Sequence, residues 1–224
     1  MPIFILGFTL KLENDQVLQL LCQNYLAIFL IIFCSAFGYI LLAYGFLNRF
    51  QVKAWWFSLK NMAPAVLSGF STMSSAAAMP MTLLAAEKNT SRPEISGSVI
   101  PATVNIHLVG DCFAIPIFAL AILLSFDGAI PDLKIYAAFS LYFILAKFAV
   151  AGVPGGGILV MLPVLEQHLG FSGEMLSLIT ALYIIFDPIV TAANVMGNGA
   201  FAIFFVKIFD SLSRIFKKRS QFSK

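Results

Sequence analysis

The chain has 224 residues, of which 60% are hydrophobic and 11% charged, with a formal net charge of +3 and a mean hydropathy of +0.92. A soluble domain carries about 25% charged residues, so this composition excludes one and indicates an integral membrane protein. The small net charge, with no basic patch interleaved with aromatics, also argues against a nucleic-acid partner. The membrane signal is helical, because several apolar runs approach or exceed the roughly 20 residues of a spanning helix and none has the short alternation of an outer-membrane strand.

In chain order, Met1 to Leu10 is too short to span and lacks the basic start and cleavage site of a signal peptide. It reads as the tail of an earlier membrane helix, followed by an acidic turn, with Glu13 and Asp15, on the outside. Val17 to Leu47 is long enough to span with tilt. Arg49, Lys53 and Lys60 then follow without an acidic residue, which makes that end cytoplasmic by the positive-inside rule. Residues 62–88 are apolar but broken by Pro64, Gly69, Pro80 and the small polar group around Ser74 and Ser75, and basic residues flank both ends. Two short limbs that start and end on one side describe a re-entrant hairpin with its tip at Ser74 and Ser75.

Residues 95–126 are expected to form a transmembrane helix carrying Asn105, His107 and Asp111, ending in FDGAIPD, an acidic turn placed outside. Residues 135–170 are again apolar and again interrupted, by AGVPGGG at Ala151 to Gly157, with no lysine or arginine in the following loop. They predict a second re-entrant hairpin that enters from the opposite face. A transmembrane helix over 176–207 and a basic cytoplasmic tail over 208–224 complete the chain. Span, hairpin, span, hairpin and span thus form two inverted units, the pattern of a secondary transporter whose site lies near the midplane.

The last span carries Asp187, Thr191, Asn194 and Asn198 at offsets of four, three and four. At about 100° per residue they fall on one face, within an arc of about 60°. An aspartate at a membrane helix centre costs roughly 2.5–3.5 kcal/mol on insertion scales, so this stripe faces a partner or a watery cavity. The plainer reading of such a stripe is interhelical hydrogen bonding. Cys22, Cys34 and Cys112 lie singly in apolar runs and are expected to be small buried hydrophobes, with no disulfide or zinc role. Lys147 has no assignable partner and is read as packing or snorkelling. No metal site is certain, and an intramembrane hydrolase built on Asp111, Asp187 and the serines lacks the sequence motifs of that chemistry.

SSAAAMPMTLLAAEKN, NIHLVGD, AGVPGGG and DPIVTAANVMGN occur in an order that resembles the dicarboxylate/amino-acid:cation symporters, the glutamate-transporter family. The resemblance covers almost the whole chain and implies an all-α membrane fold with two oppositely oriented re-entrant hairpins, working as a symporter and not as an enzyme. It implies that the match begins late in the fifth helix of complete members, whose earlier helices supply most of a trimerisation scaffold. The chain is then a C-terminal portion, a split gene product or a decayed copy, forming a homotrimer if completed, in a bacterial inner membrane with the C-terminus cytoplasmic.

The resemblance implies that Ser74 and Ser75 receive a substrate's α-carboxylate, that Asp187 binds its amino group, and that Asn194 and Thr191 contact substrate, Asn194 also an ion. Val153, Pro154, Gly155, Gly156 and Gly157 lie in the corresponding outer gate. Three departures follow. Where members selective for acidic substrates have an arginine, this chain has Val190, which favours a neutral amino acid; Asn198 replaces an ion-binding aspartate; and His107 replaces another, within Asn105 to Val109. Loss of two anionic ligands puts sodium coupling in question. His107 and Asp111, four apart, are expected on one helix face as an alternative proton relay. The expected ligands are therefore a small amino acid or dicarboxylate, a coupling cation (sodium or proton) and membrane lipid.

Overall fold

The computed structural model describes residues 17–126 and 130–222, with side chains described over 25–126 and 130–215. The expected helix tail at Met1 to Leu10, its acidic turn and the centre of FDGAIPD lie outside the described residues. Those residues are helical and contain no strand. In chain order the helices are α1 (Val17–Leu47), α2 (Val52–Thr72), α3 (Ser75–Asn89), α4 (Pro93–Thr103), α5 (Val109–Phe126), α6 (Leu133–Lys147), α7 (Gly156–Leu159), α8 (Leu162–Leu169) and α9 (Gly173–Phe222). Tyr25–Leu47, Val109–Phe126 and Gly173–Ile215 are long and apolar enough to cross a membrane.

The α2–α3 pair turns at Met73, which takes a left-handed conformation with φ of 50°, and at Ser74, whose hydroxyl caps α3 by accepting from the Ala77 N–H. A capped helix start two residues after a helix end forces the chain to double back. Asn61 Nδ2 donates to Asn89 Oδ1 at 2.7 Å and Asn89 Nδ2 donates to the Ser58 carbonyl at 2.9 Å, so the far ends are tied and the pair is antiparallel. α2 begins at Val52, ahead of Met62, because Lys53 and Lys60 are exposed and do not interrupt the helix. α6 packs on α8, where the Tyr142 and His168 rings stack at 4.0 Å.

α9 is the central element and packs on α1, α2, α3, α4 and α5. Its 50 residues rise about 75 Å, more than twice a hydrocarbon core of about 30 Å. It runs without a break to Phe222, through the described part of the basic tail expected over 208–224. Pro188 within it lacks an N–H, which leaves the Ile184 carbonyl without its usual intrahelical donor one turn from Asp187. Phe29 of α1 stacks on Phe186 at 5.0 Å and meets Phe118 of α5 edge-on at 5.6 Å, clamping three helices beside Asp187. Tyr44 OH donates to the Met196 carbonyl at 3.1 Å and pins α1 further along.

α5 and α9 approach closely at Gly110, where a Cβ would overlap the backbone carbonyl of Val190. Backbone on both sides leaves nothing to rotate away. Gly110→Ala is expected to separate the helices at a cost of about 1–3 kcal/mol, seen as a lower thermal unfolding midpoint of the purified protein.

Two expectations are corrected. The 95–126 segment is two helices, interrupted at 104–108, because the chain leaves helical geometry where Asn105 turns its side chain to another segment. Cys34 and Cys112 are exposed and free. Hydrophobicity cannot tell the two environments apart in a membrane protein, since a thiol facing lipid is as satisfied as one in the core.

Candidate functional site

α9 presents its stripe inward: Asp187 is 4% exposed, Thr191 3%, Asn194 4% and Asn198 0%. Asp187 and Thr191 are held together, the Thr191 hydroxyl donating to Asp187 Oδ1 at 3.1 Å. The other carboxylate oxygen accepts the Gly155 N–H at 2.8 Å. Gly155 offers that N–H from a left-handed backbone, φ 70°, which glycine adopts without steric cost. The broken 148–155 stretch between α6 and α7 is thereby aimed at the polar face of α9.

The same stretch meets the tip of the α2–α3 pair. The Gly152 carbonyl accepts from Ser74 Oγ at 2.5 Å and from the Ala76 N–H at 3.2 Å, and the Gly152 N–H donates to Asn105 Oδ1 at 2.9 Å. One short loop therefore gives its carbonyl to the hydroxyl and N–H donors at the start of α3, and its N–H to the carboxylate of α9. Between them lies a small, partly open cavity of about 20 Å³ lined by Ser75, Asp111, Val153, Asp187, Thr191 and Asn194 among others, room for about one water. Ser74, Pro154, Gly155 and Gly156 do not line this cavity; Gly156 is the first residue of α7, and a Cβ on it would overlap the Ala151 carbonyl.

Asp111 has different company from that expected. His107 precedes the start of α5, so the two do not share a helix face; its ring lies on Phe201 at 4.7 Å. The direct relay is corrected accordingly: the helix break turns the histidine toward α9 at another level. Asp111 Oδ2 instead accepts from Lys147 Nζ at 2.6 Å, and Oδ1 accepts from Tyr183 OH at 2.9 Å and Asn194 Nδ2 at 3.2 Å. Lys147, read from the sequence as packing or snorkelling, is a buried ion-pair partner: a lysine in hydrocarbon is stable when a carboxylate meets it. Asn194 Oδ1 accepts the Gly110 N–H at 2.7 Å, which orients its amide. Asn198 lies apart from the cavity, with both side-chain polar atoms buried and unpartnered, as is His107 Nδ1.

Tyr183, Lys147 and Gly152 belong to the site and are not among the site residues expected from the sequence. Tyr183 had a signal, since it continues the stripe one turn before Asp187. Lys147 had none, because its partner is distant in sequence.

Residues 1–208 match the sodium:dicarboxylate symporter family. The chain belongs to that family. It is an integral membrane protein of a transporter family, not an enzyme family. A 139-residue stretch is 28% identical to a Caenorhabditis elegans protein provisionally named sodium-dependent excitatory amino acid transporter glt-4, covering 62% of this chain and 28% of that protein. The match thus spans less than a third of the length of the curated relative.

Proposed function

We propose that this chain forms the substrate core of a secondary active symporter that moves a small amino acid or dicarboxylate, coupled to sodium or protons. The observation that carries the reading is the pair of opposed polar groups on either side of the 152–155 loop. Ser74 and the first N–H groups of α3 are donors suited to a carboxylate, and Asp187 is an acceptor suited to an ammonium. The 152–155 loop now answers both, with its Gly152 carbonyl on one and its Gly155 N–H on the other. An α-amino acid carries the same two polarities, so substrate enters as the loop withdraws. A cavity of about 20 Å³ requires that withdrawal, because it holds no more than about one water.

In this reading α2–α3 and α6–α8 are re-entrant hairpins over residues 62–88 and 135–170, entering from opposite faces. Residues 95–126 and 176–207 cross the membrane, and the basic end at 208–224 is cytoplasmic. Ser74, Ser75, Val153, Pro154, Gly155, Gly156, Asp187, Thr191 and Asn194 form the substrate site. Val190 is buried in an apolar cluster and offers no partner for a side-chain carboxylate, which favours a neutral amino acid. Asn105, His107, Asn194 and Asn198 are the ion or proton group; the buried, unpartnered amide of Asn198 supports that assignment, since such a group is costly without a ligand. Asp111 was grouped with them by sequence, and its pairing with Lys147 gives it a different part. The core works as a homotrimer with the further helices of its family, moving substrate by displacement of the core.

The test is uptake of labelled neutral amino acids, aspartate and C4-dicarboxylates into proteoliposomes, with sodium and proton gradients imposed separately. Gradient-driven accumulation of a neutral amino acid is expected. Failure of reconstituted, folded protein to accumulate any of them under either gradient would overturn the proposal.

A further inference from the structure

Among the described residues, Lys147 is the only buried lysine or arginine. Its ammonium lies 2.6 Å from Asp111 Oδ2 and 3.3 Å from the Gly157 carbonyl, with the Phe143 ring centroid at 5.1 Å. Through Asp111 it is joined to Tyr183 and Asn194 of α9. Lys147 is the last residue of α6, and Gly157 stands just inside α7, so the ammonium closes the two ends of the 148–155 loop and fixes both to α5 and α9. Gly157 is pressed close enough that a Cβ there would overlap Tyr183 OH and Asp111 Oδ2.

A carboxylate plus a backbone carbonyl beside an interrupted helix is the oxygen set that transporters present to a diffusible monovalent cation. Here a positive charge on the chain itself sits between those oxygens. We propose that Lys147 is a tethered cation: its ammonium holds the 148–157 segment closed at Asp111, in the place where a diffusible cation would otherwise act. The proposal rests on the reading of that segment as a gate. Lys147 acts through the segment and Asp111, and is a positioning residue. One consequence is that closing the gate at this point requires no captured ion, and the number of coupled cations falls accordingly.

The experiment measures thermal unfolding of the purified full chain in sodium, methylammonium and choline chloride at equal ionic strength. Lys147→Ala lowers the midpoint in choline, and exposes Asp111 and the Gly157 carbonyl to a small cation. Sodium or methylammonium then raises the midpoint by about 3–6 °C at a concentration about tenfold above its dissociation constant, more than in the unsubstituted protein. Adding Asp111→Asn removes the gain. A Lys147→Ala protein that responds to these cations no more than the parent, or equally with and without Asp111→Asn, overturns the proposal and leaves a structural ion pair only. Should Lys147→Ala not fold, Val153→Cys in a background with Cys22, Cys34 and Cys112 replaced by alanine keeps the question open to refutation. Its labelling by an impermeant maleimide is expected at equal rates in sodium and choline, and sodium-dependent protection would overturn the tethered-cation account. Neither readout involves substrate, so a failure of uptake and a failure here are distinguishable.

Discussion

Lys147→Met is expected to lower the stability of the protein by about 3–5 kcal/mol, the range for removing one member of a buried ion pair. Methionine keeps most of the volume of the lysine stem, so the loss measures charge and not a cavity. Asp111 would remain 1% exposed, with Tyr183 and Asn194 as donors and no cation. Asp111→Asn has the converse defect, an ammonium left with the Gly157 carbonyl and the Phe143 ring. The double substitution Lys147→Gln with Asp111→Asn replaces the pair by two amides able to bond each other and recovers most of the loss. Denaturant or thermal unfolding of Lys147→Gln, Asp111→Asn and the double variant in one buffer, beside the parent, checks this as a double-mutant cycle. Equal, additive losses would mean that the two residues do not interact in solution.

Asp187→Asn is expected to weaken binding of a neutral amino acid by about 2–5 kcal/mol, roughly 30- to 5,000-fold, because a buried charge-assisted pair loses one charge. The fold is much less affected. Asparagine has the same shape, and its carbonyl oxygen can accept the Gly155 N–H that the carboxylate now takes at 2.8 Å. Its amide N–H₂ replaces an acceptor facing the Thr191 hydroxyl, which reverses its role as donor by rotation. Equilibrium binding measured together with the thermal midpoint separates the two effects. A parallel loss of both would indicate that Asp187 is a structural residue.

The sequence carried the polar stripe of α9 and both tip motifs because each is local. Asp187, Thr191, Asn194 and Asn198 recur with the period of one helix, and Ser74 stands at a break where a hydroxyl caps the next helix. Composition and charge sufficed for an all-helical membrane chain. What was not legible depends on contacts between distant segments. The Asp111–Lys147 pair joins α5 to the end of α6, and no periodicity relates two residues on different helices. The turn at 104–108 was missed because Asn105 leaves the helix to bond the Gly152 N–H, a tertiary partner that overrides a continuous apolar run. Cys34 and Cys112 were misplaced because lipid and core select for the same side chains, while the side chain of Cys22 lies outside the described residues.

The central claim is that Asp187 and the Ser74 tip receive the two ends of one small amino acid. Equilibrium binding of a labelled neutral amino acid to the purified protein, in competition with its N-acetyl derivative and its methyl ester, tests it most directly. The account predicts that the free amino acid competes and that both derivatives fail, the first for want of an ammonium at Asp187 and the second for want of a carboxylate at α3. Equal competition by the N-acetyl derivative would contradict it, since the substrate would then bind without the charge that Asp187 is buried to meet.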